Sequence, residues 1–483
     1  MDQVPAVKSK NGLASDLLAR LAARTAEDPA YWDFSRNDRR SHGHALFPYP
    51  AMMVPQLQGA LLDDLLAVDP TVEWCYDPFA GSGTILTECM RRELNFVGTD
   101  LNPLAVLIMA VKARPLKESS LRTAVARALT RARRAGGAQP VEFASRDKWF
   151  SADATDALAM LRSAIQQQSG RPTRRFLWVC LAATVRLVSN SRTSTFKLHA
   201  YAPEVLETRT VDVFATFERV ATEAVSQIGE QYSDLDDLGA LRQGHYTGEV
   251  RVRHADATAV AGQHRRLQAD VLMTSPPYGD NRTTVPYGQH SYLPLMWIDR
   301  EDLPRGDLDP LLESPYRIDV ASLGGRRVAD SDARLEVLCQ RSPALASTTA
   351  LLRPLAGDGL HRFLAFCSDL DRAIEMVNGR LRPGACQFWT LGNRRISGLL
   401  MPTSTIVSEL SASRGAAEVT TLHRRFPRNA RRMATRNDTV ALMDTEQILV
   451  MQTAEDTSGS SAATKHMRRN TATNLAAEQP APS

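Results

Sequence analysis

Five residues at 274–278 have the types and the spacing to carry out chemistry. Their sequence is Thr-Ser-Pro-Pro-Tyr, and they follow a short apolar run at 270–273 that is typical of a buried strand. The two prolines end the strand, fix φ twice and remove two N–H donors. The pattern therefore predicts a stiff corner at the carboxyl end of a strand, where open α/β sheets bind their ligands.

The groups at this corner suit a flat base that carries an exocyclic amine. The hydroxyl of Ser275 and the carbonyl of Pro276 can accept the two amine hydrogens, and Tyr278 can stack on the ring. Because both N–H bonds are then engaged, the nitrogen lone pair is localised and can attack an electrophile. An isolated Pro-Pro pair also marks an ordinary loop, so the corner needs support from the rest of the chain.

A second segment, Asp-Pro-Phe-Ala-Gly-Ser-Gly-Thr at 77–84, lies between a predicted strand at 72–76 and a predicted helix that runs through Arg92. Gly81 and Gly83 allow a tight turn and a close approach of the backbone to a ligand. The helix that follows offers free N–H groups and the positive end of its dipole, which suits a carboxylate. This strand–turn–helix unit is therefore the predicted cofactor site.

Other nucleotide-binding turns fit this segment poorly. The segment has no Gly-Lys-Ser or Gly-Lys-Thr, which argues against a P-loop, and the third glycine of a dinucleotide fingerprint is missing. Within the turn, Asp77 can accept from an ammonium group and Phe79 can pack against a ligand. A lone Gly-x-Gly would also fit a simple tight turn, so the prediction depends on the whole string.

Two further acids stand at the ends of predicted strands. Asp100 follows the strand at 95–99, about 20 residues beyond the turn, where an acid suits a ribose diol. Its alternative role is the N-cap of the helix after Pro103. Asp256 ends a predicted strand at 250–256, and a helix cap is the alternative role for it as well.

Both motifs resemble those of the S-adenosylmethionine-dependent amino-methyltransferases of DNA. Serine at the first position of Ser-Pro-Pro-Tyr resembles the cytosine-N4 enzymes, whereas Asp or Asn there is the usual adenine-N6 form. The string at 77–84 matches the cofactor motif of the family without departure, and the resemblance spans roughly 42–451. It implies S-adenosylmethionine as the cofactor and double-stranded DNA as the partner, with the target base flipped out of the duplex.

The resemblance also implies roles for individual residues. Tyr49 and Pro50 belong to a Tyr-Pro-Ala segment that lines the methionine end of the cofactor in one branch of the family, although Met52 replaces the usual basic residue. Asp256 corresponds by position to the acid that meets the cofactor adenine. The implied catalytic residues are Ser275, Pro276, Pro277 and Tyr278, and the implied cofactor-binding residues are Tyr49, Pro50, Asp77, Phe79, Gly81, Ser82, Gly83, Thr84, Asp100 and Asp256.

The leading hypothesis is a site-specific DNA methyltransferase that transfers a methyl group directly to cytosine N4, without a covalent enzyme intermediate. The cofactor turn precedes the catalytic corner, which excludes the permuted branch of the family. Three alternatives stay open: an adenine-N6 DNA enzyme, an RNA guanine-N2 enzyme, and a DNA-binding subunit without turnover. A restriction endonuclease is a candidate partner, in a restriction-modification or phage-defence system.

Composition sets outer limits on the function. The chain has 483 residues, a formal net charge of +4 and six scattered cysteines, so the overall charge does not demand a nucleic-acid partner and no disulfide framework is indicated. No cysteine follows a proline, which argues against methylation of the cytosine ring carbon. His42 and His44 have no third ligand nearby, so no metal is expected. No apolar run could span a bilayer and no signal sequence is recognised, so we expect a cytoplasmic protein without a membrane segment.

We expect an α/β fold: a Rossmann-like class I methyltransferase sheet with helices on both faces, a helical insertion and a second, irregular insertion. The helical insertion, with helices predicted at 118–134, 153–168, 174–188 and 203–231, is the candidate for target recognition. The second insertion is a further candidate for reading sequence. The predicted divisions are an N-terminal extension at 1–40, a catalytic domain at 41–103, 249–298 and 361–452, the helical insertion at 104–248, the second insertion at 299–360 and a disordered tail at 453–483.

Several basic runs are candidates for phosphate contacts, although such runs are more often solvated faces. A hydroxyl-rich run at 192–197 contains an aromatic residue as well as basic ones. The polar segment at 279–289 is expected to be a loop that closes over the flipped base. The arginines of the basic runs are Arg131, Arg133 and Arg134, then Arg171, Arg174 and Arg175, and finally Arg424, Arg425, Arg428, Arg431, Arg432 and Arg436.

Overall fold

The structure of the protein is a computed structural model that describes residues 12–35, 39–259, 267–279, 285–426 and 445–455. In these ranges seven strands form one mixed sheet, and four short strands pair as two hairpins. The strands of the sheet are β1 Trp74–Asp77, β2 Asn95–Asp100, β5 Val250–His254, β6 Ala269–Thr274, β7 Leu381–Leu391, β10 Ala416–Arg425 and β11 Thr445–Thr453. The hairpin strands are β3 Leu241–Arg242 with β4 His245–Tyr246, and β8 Arg395–Ile396 with β9 Leu399–Leu400.

The strand order of the sheet is β5-β2-β1-β6-β7-β11-β10. The first five strands in this order are parallel to one another, whereas β11 is antiparallel to both β7 and β10. Parallel neighbours need crossover connections, and here helices supply them and cover both faces of the sheet. This architecture confirms the predicted α/β, Rossmann-like class I methyltransferase fold.

Seventeen α-helices accompany the strands in the described part of the chain. They are α1 Leu13–Glu27, α2 Pro55–Val68, α3 Thr84–Met90, α4 Pro103–Lys112, α5 Glu118–Arg134, α6 Arg146–Trp149, α7 Ala152–Gln166, α8 Arg171–Val188, α9 Pro203–Thr208, α10 Val213–Asp237, α11 Tyr287–Trp297, α12 Asp309–Leu312, α13 Arg317–Ala321, α14 Ser331–Arg341, α15 Pro343–Leu352, α16 Gly359–Asn378 and α17 Thr403–Ala412. Local sequence explains several helix starts. Pro55 and Pro103 occupy the first positions of α2 and α4, and Asn102 and Asp212 accept backbone N–H groups as N-caps of α4 and α10.

The apolar residues of β6 follow one another in sequence, and their side chains point alternately to the two faces of the sheet. Each face therefore contributes to a different hydrophobic core. Val271 and Met273 pack with α1 to α4 on one face of the sheet, whereas Leu272 packs with α14 to α17 on the other. A third core lies within the helical insertion, where α5, α7, α8 and α10 pack with α4 and α11. The strands that carry both sequence motifs are therefore held from both sides.

Most helices lie where the sequence predicts them. The prediction at 118–134 coincides with α5. The single helix predicted at 203–231 is two helices, α9 and α10, because the chain is extended at Arg209 and Asp212 caps a new helix start. The second insertion consists of four short helices, α12 to α15, joined by turns.

Two strands differ from the prediction. The sequence predicts Arg382-Pro383-Gly384 as a lead-in to a strand, whereas β7 already begins at Leu381. The pairing of β6 with β7 shifts register between Ala269 and Val271, and Gly384 takes a φ of +73°, so β7 accommodates its proline at an irregularity. Strand β10 was not predicted, since its sequence is mostly polar and lacks a hydrophobic alternation.

Some predictions fall on residues that the structure does not describe. These are 280–284 of the predicted loop, Arg428, Arg431, Arg432 and Arg436 of the last basic run, and the tail from 456 onward. The end of the predicted 279–289 loop is helical, because α11 begins at Tyr287. The division into a catalytic domain and two insertions stays a prediction, although α4, assigned to the helical insertion, packs against β2 and β5. Among the described helices none is both long and apolar enough to cross a bilayer.

Candidate active site

A cleft of about 860 Å³, including its open mouth, lies at the carboxyl ends of β1, β2 and β6. The cleft is lined by Gly81, Ser82 and Thr84 of the predicted cofactor turn and by Ser275 and Pro277 of the predicted catalytic corner. The structure thus brings both motifs, almost 200 residues apart in sequence, to one cavity.

The two motifs are adjacent because β1 and β6 are parallel neighbours. Cys75 pairs with Val271 in the register of these strands, so both strands end at the same edge of the sheet. Beyond the register, the Thr274 hydroxyl donates to Asp77 Oδ1 over 2.6 Å. A hydrogen bond between side chains therefore ties the cofactor turn to the catalytic corner.

The cofactor turn requires its glycines. Gly81 and Gly83 have φ values of +51° and +79°, in the left-handed region that side chains disfavour. A Cβ at Gly83 would also lie 2.9 Å from the Met109 side chain. Ser82, between them, has a buried hydroxyl without a hydrogen-bond partner in the described residues, and it lines the cleft. The turn is thus a cradle with an unpaired polar group.

Asp77 lies beneath the cradle rather than in the cleft wall. Its Oδ1 accepts from the Phe79 N–H over 3.0 Å as well as from Thr274, and its Oδ2 is buried without a partner in the described part of the chain. Burial raises the pKa of Asp77 to about 7. The predicted contact of Asp77 with a ligand ammonium stays a prediction, and the structure shows in addition that this carboxyl joins β1 to β6.

Asp100 lines the cleft and also restrains the turn. Its carboxylate accepts from the N–H groups of Gly81 and Asn102, both over 2.8 Å, and burial raises its pKa to about 6. The N-cap of α4 is Asn102, whose side chain accepts from the Leu104 N–H, so the alternative cap role for Asp100 is wrong. Two acceptor lone pairs of a buried carboxylate in a cleft suit a diol.

Asp256 lies at the far wall of the same cleft, beside Ala255 and Ala257. Its Oδ1 accepts from both the backbone N–H and the hydroxyl of Thr258, each over 2.8 Å. This local turn fixes the side chain beyond the end of β5, one strand further from β6 than Asp100. Asp100 and Asp256 thus mark successive positions along the cleft.

An aromatic pair forms part of the wall near the predicted methionine end. The ring of Tyr49 stacks on that of Tyr287, with centroids 5.9 Å apart and an interplanar angle of 25°. The Tyr49 hydroxyl accepts from Asn102 Nδ2 over 3.1 Å. Pro50 and Met52 also line the cleft, as their position next to Tyr49 in the sequence requires. Sequence reasoning missed Tyr287, which lay in a predicted loop.

The second insertion supplies a wall of the cleft that the sequence did not indicate. Ile318, Asp319, Ser322 and Leu323, in and after α13, line it. Asp319 accepts from the Gly288 and Gln289 N–H groups in the first turn of α11, over 2.7 and 3.3 Å, and burial raises its pKa to about 6. No motif surrounds Asp319, so nothing in the sequence could have identified it.

At the catalytic corner, three side chains form a hydrogen-bonded chain. The Ser275 hydroxyl donates to Tyr278 Oη over 3.2 Å, and Tyr278 Oη donates to Glu446 Oε1 over 3.0 Å. Tyr278 is half-buried beside the cleft, and burial raises its pKa. Pro276 is buried within the corner. Glu446 was predicted only as the start of a closing strand, because its partner is 168 residues away.

Several arginines of the basic runs, which are candidates for phosphate contacts, form ion pairs within the protein. Arg171 and Arg174 pair with Asp302, which fastens α8 to the segment after α11. Arg424 is buried and pairs with Glu446. The paired state of these guanidiniums explains why arginine runs in sequence are weak evidence for nucleic-acid contact.

The remaining basic runs differ from one another in their partners. Arg133 pairs on the surface with Glu218, whereas Arg192 and Lys197 are exposed in a loop that a β-bridge between Ser191 and Ala200 closes. This loop therefore remains a candidate for DNA contact.

The two histidines that raised the question of a metal have separate partners. His44 Nε2 lies 3.1 Å from Glu88 Oε1, and His42 Nδ1 lies 3.4 Å from Asp234 Oδ1. In the described ranges no three His, Cys, Asp or Glu side chains come together as metal ligands would.

The chemistry of the residues that line the cleft suits S-adenosylmethionine. The glycine cradle allows close approach, the unpaired Ser82 hydroxyl can bond to a carboxylate, and Asp100 can accept from a ribose. S-adenosylmethionine bound in this way would supply an electrophilic methyl group. The aromatic pair and the second insertion would shield it from water.

Comparison with known proteins agrees with this geometry. No model of a protein family matches the chain. The chain is 29% identical to the Type II methyltransferase M.MvaI of Kocuria varians over 434 residues. The matched region covers 87% of this chain and 92% of that protein. It is 36% identical over 85 residues to the Type II methyltransferase M.MjaII of Methanocaldococcus jannaschii, covering 18% of this chain and 16% of that protein. With both motifs in one cleft of a Rossmann-like sheet, these similarities support a DNA methyltransferase that uses S-adenosylmethionine.

Proposed function

We propose that the protein methylates the exocyclic N4 amine of cytosine at specific sites in double-stranded DNA. The observation that carries this proposal is the position of Ser275, which lines the cofactor cleft and belongs to the corner next to the glycine turn. The base would enter the cleft flipped out of the duplex. The similarity to Type II methyltransferases supports the reaction class, and the serine favours cytosine over adenine.

The hydrogen-bonded chain at the corner explains how a serine can act as an acceptor. A carboxylate has no hydrogen to give, so Tyr278 must donate to Glu446. The Tyr278 oxygen is then the acceptor for Ser275, whose hydroxyl hydrogen is thereby directed away from the cleft. The lone pairs of Ser275 Oγ stay available for a hydrogen of the target amine.

With Ser275 and the Pro276 carbonyl accepting the two amine hydrogens, the nitrogen lone pair is localised for attack on the methyl carbon. The N–C bond forms as the S–C bond breaks, and the amine loses one proton to water. No residue forms a covalent bond to the base. Catalysis would come from orientation and from hydrogen bonds that strengthen as charge develops on the nitrogen.

The proposal is tested with Ser275→Ala and Tyr278→Ala. We expect each variant to lower kcat about a hundredfold, since each removes an oriented group at the reacting amine. Binding of S-adenosylmethionine, measured by calorimetry, should change little. Ser408→Ala on the surface of α17 is the control, because its hydroxyl contacts only Glu418.

Mass analysis of nucleosides from treated DNA identifies the product. N4-methylcytosine is expected, whereas N6-methyladenine would replace the proposed base specificity with the adenine alternative. Full activity of both variants would refute the roles of Ser275 and Tyr278. A wild-type protein that binds no cofactor would instead indicate a silent DNA-binding subunit.

We also infer that the helical insertion at 104–248 takes part in recognition of the target sequence. Phe196 in its exposed loop packs on His290, with ring centroids 5.7 Å apart, and His290 in turn packs on Tyr49 in the cleft wall. The loop therefore lies beside the cleft and can reach DNA bound there. Arg192 and Lys197 would contact phosphates.

Two further parts of the proposal concern the setting of the reaction. All six cysteines are unpaired, which supports a reducing compartment such as the cytoplasm. The proposed partner is a restriction endonuclease that recognises the same DNA sequence. Methylation by this protein would protect the DNA of the cell from cleavage by that endonuclease.

A further inference from the structure

Three arginines interact through their charges with the carboxylate that accepts the hydrogen bond of the catalytic tyrosine. They are Arg39, Arg394 and Arg424, here called the arginine cluster. They come from three distant parts of the chain: the segment after α1, the turn after β7, and β10. The carboxylate is Glu446, which accepts from Tyr278 Oη.

Arg424 forms the floor of the arginine cluster. It stands directly opposite Glu446 in the register of β10 and β11, and the two form an ion pair. Arg424 is only 2% exposed, and its Nε donates to the Asp33 carbonyl over 3.2 Å. Its Nη2 is buried with no hydrogen-bond partner in the described residues. Arg424 thus keeps unused donor capacity next to Glu446.

Arg394 comes close to the same carboxylate from the turn after β7. Leu391, at the end of β7, pairs with Gln447, the residue after Glu446, and Arg394 follows three residues later. Its Nε is buried without a partner, and no carboxylate among the described residues pairs with the guanidinium. Burial lowers the pKa of Arg394, although the charges of Tyr278, Tyr287 and Glu446 act to raise it. The side chain therefore lies near both the corner and the aromatic wall of the cleft.

Arg39 completes the arginine cluster from the N-terminal segment. Asp33 in this segment accepts from the Arg425 N–H over 2.7 Å, which fixes the segment against β10. The Arg39 guanidinium donates a long hydrogen bond of 3.5 Å to the Phe34 carbonyl. Burial and the charge of Arg424 lower the pKa of Arg39, whereas Glu446 acts to raise it.

In the described part of the chain only one of the three guanidiniums, that of Arg424, is paired with a carboxylate, so the arginine cluster carries an excess of positive charge. Partly buried cations without counter-charges are costly unless a ligand provides the missing charge. The guanidinium group binds phosphate oxygens with paired N–H groups and supplies no acceptor. An anionic phosphodiester is the ligand that matches this excess, these donors and the neighbouring base-stacking tyrosine.

We propose that Arg39 and Arg394 bind a backbone phosphodiester of DNA next to the target nucleotide, on a floor formed by the Arg424–Glu446 pair. This inference rests on the proposed action on DNA. A base stacked on Tyr278 brings its own sugar and phosphates to the same end of the cleft. One carboxylate would thus position the catalytic tyrosine and the phosphate-binding arginines together.

The test uses the full chain with Arg39→Gln and Arg394→Gln. Each variant should bind its DNA about tenfold more weakly at moderate salt, as expected for loss of a charge-assisted hydrogen bond. The slope of the logarithm of affinity against the logarithm of salt concentration should fall by about 0.9 for each. Cofactor affinity and melting temperature should remain those of the wild type. Arg394→Lys should keep the wild-type salt slope, because it keeps the charge.

A matched control and a modified duplex sharpen the result. Arg372→Gln also removes one arginine charge and should leave the salt slope unchanged. Arg372 lies on the surface of α16, in the half of that helix that precedes the amino end of β7. A duplex with an uncharged methylphosphonate beside the target base should weaken wild-type binding more than Arg394→Gln does, because the contacts of Arg39 and Arg394 are both lost. The same duplex should cause a smaller loss in Arg394→Gln than in the wild type, because only the Arg39 contact is left to lose.

The outcomes separate this inference from the proposed function. Unchanged DNA affinity and salt slope in both glutamine variants, with normal methylation of DNA by the wild type, would overturn the phosphate site alone. A fall in kcat with an unchanged salt slope would likewise overturn it, in favour of a purely structural role beside Tyr278. If the wild type neither binds nor methylates DNA, the proposed function fails and the phosphate site fails with it.

Discussion

Asp77 is the residue at which the two motifs of the cleft meet. Its Oδ1 accepts from Thr274, one residue before the catalytic corner, and from Phe79 in the cofactor turn. Its other oxygen is buried and unpaired in the described residues, so the ionised form is poorly solvated. Burial accordingly raises the pKa of Asp77 to about 7. Joining the two motifs through this carboxyl therefore lowers stability at high pH.

We predict that Asp77→Asn gains stability relative to the wild type as the pH rises. In the folded state Asp77 holds its proton up to about pH 7, whereas in the unfolded chain it loses the proton near its ordinary pKa of 3.8. The folded state thus binds more protons across this window, and its stability falls as the pH rises through it. The side chain of asparagine does not titrate in this pH range, and its oxygen can still accept from the Thr274 hydroxyl. Between pH 5 and pH 8 the difference in free energy of unfolding should shift by about 2 to 3 kcal/mol in favour of the variant.

Urea denaturation of both proteins at several pH values measures this shift. A difference that does not vary with pH would contradict the raised pKa of Asp77. The same samples test the predicted ammonium contact, because loss of that contact would weaken binding of S-adenosylmethionine to Asp77→Asn at pH 8. Ser408→Ala serves again as a variant without a titrating group.

At the scale of elements, the short helix α13 closes one side of the cofactor cleft. Asp319 on α13 accepts from two N–H groups in the first turn of α11, which have no partners within their own helix. Tyr287, the first residue of α11, stacks on Tyr49. A chain of contacts therefore runs from the second insertion through α11 to the cleft wall.

We predict that Asp319→Ala weakens binding of S-adenosylmethionine about tenfold. The variant removes the acceptor that fixes α13 on α11, a contribution of about 1 to 2 kcal/mol by analogy with helix caps. Calorimetric titration of the cofactor is the measurement. Arg317→Ala on the same helix is the control, since its side chain is exposed and contacts only Glu313. Equal affinity in wild type and Asp319→Ala would show that α13 is a passive cover.

The elements and contacts of this cleft were not equally predictable from the sequence. The glycine turn and the diproline corner are contiguous strings whose conformation follows from their own residues, and the structure places both on neighbouring strands. Asp319, Tyr287 and Glu446 act through partners tens to hundreds of residues away, so no local pattern could reveal them. Strand β10 escaped prediction for a related reason, since pairing with β11 and not hydrophobic alternation defines it.

At the scale of the whole molecule, the helical insertion shares a hydrophobic core with α11 and with the segment before the cofactor turn. Phe47 and Tyr49 before the cofactor turn, and Leu293 and Trp297 of α11, belong to the same core as α5, α7, α8 and α10. The insertion is therefore not an appendage that folds alone. Since Tyr49 and α11 form one wall of the cleft, unfolding of the insertion should abolish cofactor binding.

We predict that Trp178→Ala destabilises the insertion and the cofactor cleft together. Trp178 in α8 is fully buried, and its Nε1 donates to Asp302 Oδ2 over 2.8 Å. Truncation creates a large cavity, which typically costs about 3 to 5 kcal/mol. Circular dichroism and cofactor binding should then be lost at the same, lower urea concentration. Leu187→Ala in the same helix is the control, because its side chain is partly exposed and little stability should be lost. Two separate transitions, with cofactor binding retained after the first, would mean that the insertion unfolds on its own and that the shared core does not couple it to the cleft.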